Sequence, residues 1–354
     1  RSLHELKLDD VVIYDKQAEP VLRADEARVT LRLLSLLSAP ETSIDEILLT
    51  GAHIEVVQRA DGTWNYDDLG ANDTEPSSFE GRIRTKDATA TVTADGRTYE
   101  LDGITGTVEI DRSDISYDLV GALIGVPLHV RGNYVGGSQE LYLISDDADL
   151  TPLLNFFPAG TLPGDLHIHD IHADHVGMQL RRVDGIMTLE GRVDGANGAA
   201  ELYGTELHLA STAITFNERA LFVAATAEAM GETARVDGTI RLDTDAPYLD
   251  LRVRAEDFAI DRILTNSPYE GAVTADLHVT GTVASPSVRG RMTAAEGRAY
   301  DTSFRAAEAD VSYADGVLSF ENLTAEFFGG KLSGAGLFDT ADRSYTAHLT
   351  ADNI

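Results

Sequence analysis

The chain has 354 residues, 43% of them apolar, and 28 Lys+Arg stand against 59 Asp+Glu for a formal net charge of −31. That charge opposes a nucleic-acid partner and a polybasic grip on anionic headgroups. Because there is no cysteine, disulfides, thiolate metal sites and cysteine nucleophiles are excluded.

No apolar run reaches the length of a membrane span, and no signal peptide is visible. The start at Arg1-Ser2-Leu3 is read as that of a fragment whose anchor or signal lies elsewhere. Leu31–Ser38 (LRLLSLLS) has apolar residues at 31, 33, 34, 36 and 37 and stops before Pro40, which predicts a short helix. Thr151–Phe157 offers an N-cap threonine, proline at the first helical position and Pro158 after the end, a second short helix. Phe258–Leu264, stopping before Pro268, is a third.

Everywhere else period two prevails. Leu249–Ala255, Asp276–Thr280, Ile240–Leu242, Leu207–Leu209, Leu189–Val193, Leu318–Phe320 and Tyr345–Ala351 alternate apolar and polar, as strands with one wet face do. Asp-Gly pairs at 61–62, 95–96, 102–103, 184–185, 194–195, 237–238 and 315–316 suit type I′ hairpin turns. The chain is therefore expected to be all-β, with a few short helices, as a long antiparallel meander. Helices two and three open faintly matching units about 110 residues apart, Leu153-Leu154…Gly164…Leu166-His167-Ile168 and Ile263-Leu264…Gly271…Leu277-His278-Val279. That spacing suggests growth by addition.

Catalytic chemistry finds no footing. In Leu166–His175 the His-x-His-x-Asp-His pattern of a metallohydrolase fails at Ile171, and strand alternation separates His167, His169 and His175 from Asp170, His172 and Asp174. A solvated strand face is expected there, not a metal site. There is no Gly-x-Ser-x-Gly elbow, Gly329-Gly330-Lys331-Leu332 lacks the Ser/Thr of a P-loop, and no Gly-x-Gly-x-x-Gly follows a strand. Neither an enzyme nor a cofactor is expected.

One motif stands out. The only tryptophan sits in Arg59-Ala60-Asp61-Gly62-Thr63-Trp64-Asn65, after the apolar strand Ala52–Val57 and the lead-in Ile44–Leu49. This resembles a signature of the AsmA-like superfamily, which includes TamB. Asp61-Gly62 reads as a hairpin and Trp64 as an aromatic seal at a strand start, in contact with lipid or as a plain hydrophobic plug, with Asn65 completing the motif. A second resemblance lies in Gly281-Thr282-Val283-Ala284-Ser285-Pro286-Ser287-Val288-Arg289-Gly290, the Gly…Pro…Gly element of TamB-like chains. It is followed by Val311–Phe320 around an Asp-Gly turn and by Phe328–Gly336.

The resemblance implies a long antiparallel sheet curled into an elongated half-pipe, the β-taco. An N-terminal AsmA-like module would occupy 1–80 and continuous taco repeats 81–354. It also implies a periplasmic, inner-membrane-anchored, non-enzymatic conduit that shields phospholipid acyl chains between two membranes. Alternation places Leu141, Leu143, Leu189, Leu207, Leu209, Ile240, Leu242, Leu249, Leu251, Val253, Leu277, Val279, Val311, Tyr313, Leu318 and Phe320 on the groove wall. Two other readings remain: an assembly scaffold docking an outer-membrane barrel protein, with an inner-membrane anchor on the flanks, and an extracellular adhesin-type β-protein.

Overall fold

The computed structural model describes residues 4–32, 44–65, 80–94, 96–156, 166–202, 205–244, 246–259, 269–282, 284–299, 302–339, 341 and 344–353. The chain is all-β, and it divides into two compact units. Unit 1 comprises residues 1–148 and 175–190. It contains β1 (Glu5–Tyr14), β2 (Pro20–Leu31), β3 (Ile44–Val57), β4 (Glu80–Ala94), β5 (Arg97–Asp111), β6 (Asp114–Leu123), β7 (Val126–Val135) and most of β8 (Ser138–Asp149). The hairpin of β9 (Leu166–Val183) and β10 (Ile186–Leu202) contributes residues to both units.

The rest of unit 2 runs through β11 (Thr205–Asn217), β12 (Ala220–Ala229), β13 (Glu232–Arg241), β14 (Tyr248–Ala259), β15 (Tyr269–Glu270) and β16 (Ala272–Thr282). It ends with β17 (Ser285–Ala299), β18 (Thr302–Ala314), β19 (Val317–Phe327), β20 (Gly330–Asp339) and β21 (Tyr345–Asp352). From β11 onward each strand pairs antiparallel with its successor, except that β14 pairs with β16 and the two-residue β15 pairs with β17 beyond Gly271.

The expected helices fare differently. Thr151–Phe156 forms a 3-10 helix, with Thr151 N–H donating to the Asp149 side chain. Leu31 ends β2, and residues 33–38 lie outside the described set. Phe258 and Ala259 close β14 as strand, and 260–264 again lie outside it. Three of the expected Asp-Gly turns need correction. Asp102-Gly103, Asp194-Gly195 and Asp237-Gly238 lie inside β5, β10 and β13. At Gly103 and Gly195 the left-handed glycine (φ 62° at both) bends a strand instead of reversing it. At 184–185 and 315–316 the pair does make the tight turn, with both residues at positive φ.

Bulges fall opposite one another on neighbouring strands. In unit 1, Asp10, Gly51, Asp87 and Gly103 all have φ between 54° and 62° and stand where the ladders of β1–β5 skip a position. In unit 2, Asp257, Ala306 and Asn322 (φ 50–51°) play the same part in β14, β18 and β19. A bulge bends its strand and raises the local twist. Bulges in adjacent strands therefore bend several strands together.

Among the described ladders, one breaks the antiparallel rule: β3 and β4 run parallel, from Glu46↔Arg82 to Val57↔Thr93. A parallel pair needs a crossover, and the Arg59–Asn65 motif stands where the chain leaves β3. Arg59 N–H donates to the Thr63 carbonyl (2.7 Å), and Gln58 bridges antiparallel to Trp64. The buried Asn65 accepts from Val57 N–H (2.9 Å) and donates to the Glu55 carbonyl (2.7 Å), clamping the end of β3. Arg59 reaches back to Asp15 (3.1 Å), whose side chain is fully buried in the β1–β2 turn and also accepts from Gln17 and Glu19 N–H. The motif is thus a structural staple from β1 to the crossover.

Removing one partner of a buried hydrogen bond strands the other, at about 1–3 kcal/mol. Asn65→Ala should lower stability by about that amount in denaturant titration. The Glu19 amide, then Arg59 and the Gln17 amide, hold the Asp15 carboxyl below its ordinary value against its own desolvation. A lowered folded pKa gives stability that is full above the ordinary carboxylate range and lost as the pH falls through the folded value. Asp15→Asn should therefore flatten the acid limb of the Tm-versus-pH curve, and an unchanged limb would remove Asp15 from the staple.

Candidate functional site

Alternation in β12–β20 sends every second side chain to one face, and the ladder registers align these residues from strand to strand. One row across unit 2 reads Val236, Val253, Leu277, Gly290, Val311, Phe320, Gly336. The next reads Gly238, Leu251, Val279, Val288, Tyr313, Leu318, Phe338, and a third holds Leu221, Ile240, Leu249 and Gly281. Directly opposed apolar residues stabilise a sheet by roughly 0.2–1 kcal/mol per pair. Unit 1 repeats the device in the row Val29, Ile47, Ile83, Val108, Tyr117, Gly132, Leu141. The row beside it ends Leu119, Val130, Leu143.

Burial decides what these rows are. The buried apolar residues among those described are alanines and valines with one phenylalanine, Phe304. A second layer packed over the rows would bury their leucines and isoleucines fully. Instead Leu141, Leu143, Leu189, Leu207, Ile240, Leu249, Leu251, Val253, Leu277, Val279, Tyr313, Leu318 and Phe320 are half-buried. Val311 is the exception at 7% exposure, and Leu209 (39%) and Leu242 (42%) are exposed. Among the aromatic side chains of these rows, desolvation pushes the Tyr117 phenol up, as an apolar surround should.

The opposite face carries the charge. Arg235, Arg254, Asp276, Arg291 and Asp310 share a row, with Asp237, Arg252, His278 and Arg289 in the next. Arg252 Nε holds Asp276 at 2.7 Å, Arg254 holds Asp237 at 3.2 Å, His278 meets Asp250 at 2.6 Å, and Arg291 meets Glu308. The hydrogen bond from Arg252 keeps the Asp276 carboxyl below its usual range. These pairs are solvent-exposed, so they fix which face is wet more than they stabilise.

Glycines shape the apolar rows. A Cβ at Gly290 would lie 2.1 Å from the Asp276 carbonyl oxygen, so the Leu277 side chain leans over bare backbone there. Gly281, at φ 98°, turns β16 toward Pro286, its ladder partner at the head of β17. The Gly…Pro…Gly element is thus a hairpin signature. His175 pairs with Asp146 at 2.6 Å, while His167 and His169 are exposed on β9. No group of three His, Asp or Glu side chains among the described residues is placed to hold a metal. Among the described residues no helix is long and apolar enough to cross a membrane.

A half-buried position tolerates a charge that can snorkel to water, whereas a buried one does not. Val279→Lys should therefore leave the circular-dichroism spectrum intact and cost about 1 kcal/mol or less. Val311→Lys should cost roughly 2–4 kcal/mol in the same denaturation assay. Equal, large losses at both would mean a closed core.

Residues 223–335 match the family model of the TamB C-terminal domain, a span running from β12 to β20 that holds the three apolar rows. No curated protein and no solved structure matches the chain. The family is one of the bacterial cell envelope, with a transport-related role. Over that span, about a third of the chain, the strand order and the motifs that accompany it are similar to those of the TamB C-terminal domain.

Proposed function

We propose that this chain is a segment of a non-enzymatic conduit that carries phospholipids across the periplasm with their acyl chains against the apolar rows. The observation that carries the reading is a sheet face of Leu, Val, Ile and Phe left half-buried while the other face is laced with Arg–Asp pairs. An apolar face of that extent calls for an apolar occupant. Burial of an acyl chain is worth about 0.8 kcal/mol per methylene, spread along the rows with no single strong contact. Such a wall holds a chain and lets it slide. In the full-length protein an inner-membrane anchor would fix one end.

A second reading, docking of an outer-membrane barrel protein on the sheet, draws on β21. All eight of its residues are exposed, Tyr345 and Leu349 among them. Native mass spectrometry of the purified chain, with organic extraction of what accompanies it, separates the two. Several phospholipids per chain are expected, fewer in Val279→Lys. A lipid-free wild-type chain that still captures the barrel protein would reverse the order.

A further inference from the structure

The antiparallel order of β11–β20 puts successive hairpin turns at alternate ends of the unit 2 strands. At one end three of the turns are polar: Asn217 accepts from the Arg219 and Ala220 amides, Asp243-Thr244 follows β13, and Asp315-Gly316 reverses β18 into β19. At the other end Met230-Gly231 and Phe328-Gly329 make the turn, with φ of 51° and 84° and of 49° and 84°. That geometry is the one Asp315-Gly316 adopts (51° and 81°). Left-handed backbone disfavours a side chain with a Cβ unless it is Asn or Asp. Met230 and Phe328 are nevertheless apolar, and they are 61% and 70% exposed. Folding alone selects neither feature.

Around Phe328 the two faces of the sheet meet. Phe328 stands edge-on to Phe327 with centroids 4.8 Å apart, and Phe327 packs on the cluster of Val273, Ala294 and Phe304. On the wet face the bulges at Asp257, Ala306 and Asn322 accompany an open polar hollow of about 1750 Å³, which Phe328, Arg305, Glu326 and Lys331 border. Arg305, Glu326 and Lys331 are cross-strand partners on β18, β19 and β20, in a row that Glu296 and Asp352 extend at its two ends, so cations and carboxylates alternate as a zwitterionic headgroup requires.

Resting on the lipid reading above, we propose that the Phe328 hairpin is the rim over which a phospholipid enters or leaves unit 2. Its chains run over Phe328 and Phe327 onto the apolar face, and its phosphate turns outward to Arg305 and Lys331. Aromatic rings at the turn and cations just outside it match the two halves of such an amphiphile.

The test is uptake of a fluorescent phosphatidylethanolamine from vesicles of phosphatidylethanolamine and phosphatidylglycerol by the purified chain, beside Tm. Phe328→Asn installs Asn-Gly, the favoured pair for this turn, so Tm should hold or rise while the uptake rate falls about tenfold. In the wild type the phosphatidylethanolamine probe should be taken up in preference to a diacylglycerol of equal chain length, and the double variant Arg305→Glu/Lys331→Glu should abolish that preference. Excess inorganic phosphate should leave the rate unchanged. Wild-type uptake in Phe328→Asn overturns the rim assignment, as does a lowered Tm, which would make Phe328 a core residue. Inhibition by inorganic phosphate with no effect of Phe328→Asn would make the hollow a free-phosphate site. A wild-type chain that takes up no lipid fails the conduit reading itself.

Discussion

A sheet satisfies its backbone by pairing strands, but pairing alone covers neither face. This is the constraint on which the other features depend. In the ladders of β12–β20 the apolar positions align so well that rows of valine and leucine cross seven strands, yet only Val311 among the inferred wall residues is buried. Among the described apolar residues, full burial falls on alanines, a few valines and Phe304. The folded chain thus keeps a large apolar face half in contact with water, and the hydrophobic effect that would close a sandwich remains available to an occupant.

The charged face is the complement of this arrangement. Arg, Asp, Glu and His on alternate positions keep that side solvated and fix which way the pleat faces, since a one-residue slip would bring Asp276 into the row of Leu277 and Val253. Individual ion pairs such as Arg252–Asp276 are exposed and contribute little each. Their use lies in register. The staple of Asp15, Arg59 and Asn65 does comparable work in unit 1, holding the end of β3, the strand that pairs parallel with β4.

Much of this was legible in the sequence. Period-two alternation named the strand positions, and the rows of Leu251, Val253, Leu277 and Val279 follow from it directly. The two motifs fall where the chain leaves β3 and at the β16–β17 hairpin, though neither reads as a crossover or a turn of that kind. What was hidden has a common cause, because one backbone conformation serves two purposes. Left-handed φ makes the turn at Asp315-Gly316 and the bulge at Gly103 or Gly195, so the Asp-Gly pair alone does not distinguish reversal from bend. Conversely, Met230-Gly231 and Phe328-Gly329 are turns with no turn signal, since composition offers no reason for an apolar residue there. Leu242 obeys the alternation but stands just past the end of β13, and Leu209 sits at the register shift of the β11–β12 ladder. The parallel pairing of β3 with β4 has no local signature at all.

The absence of cysteine makes the central claim directly measurable. Single cysteines at Leu251, Leu277, Val279 and Tyr313, each carrying a nitroxide, report accessibility to aqueous and to lipid-soluble relaxants. On an open apolar face, the labels are reached by the aqueous relaxant in lipid-free protein, and by oxygen instead once phospholipid is added. Labels shielded from both relaxants in both states would place these residues in a closed core and contradict the account.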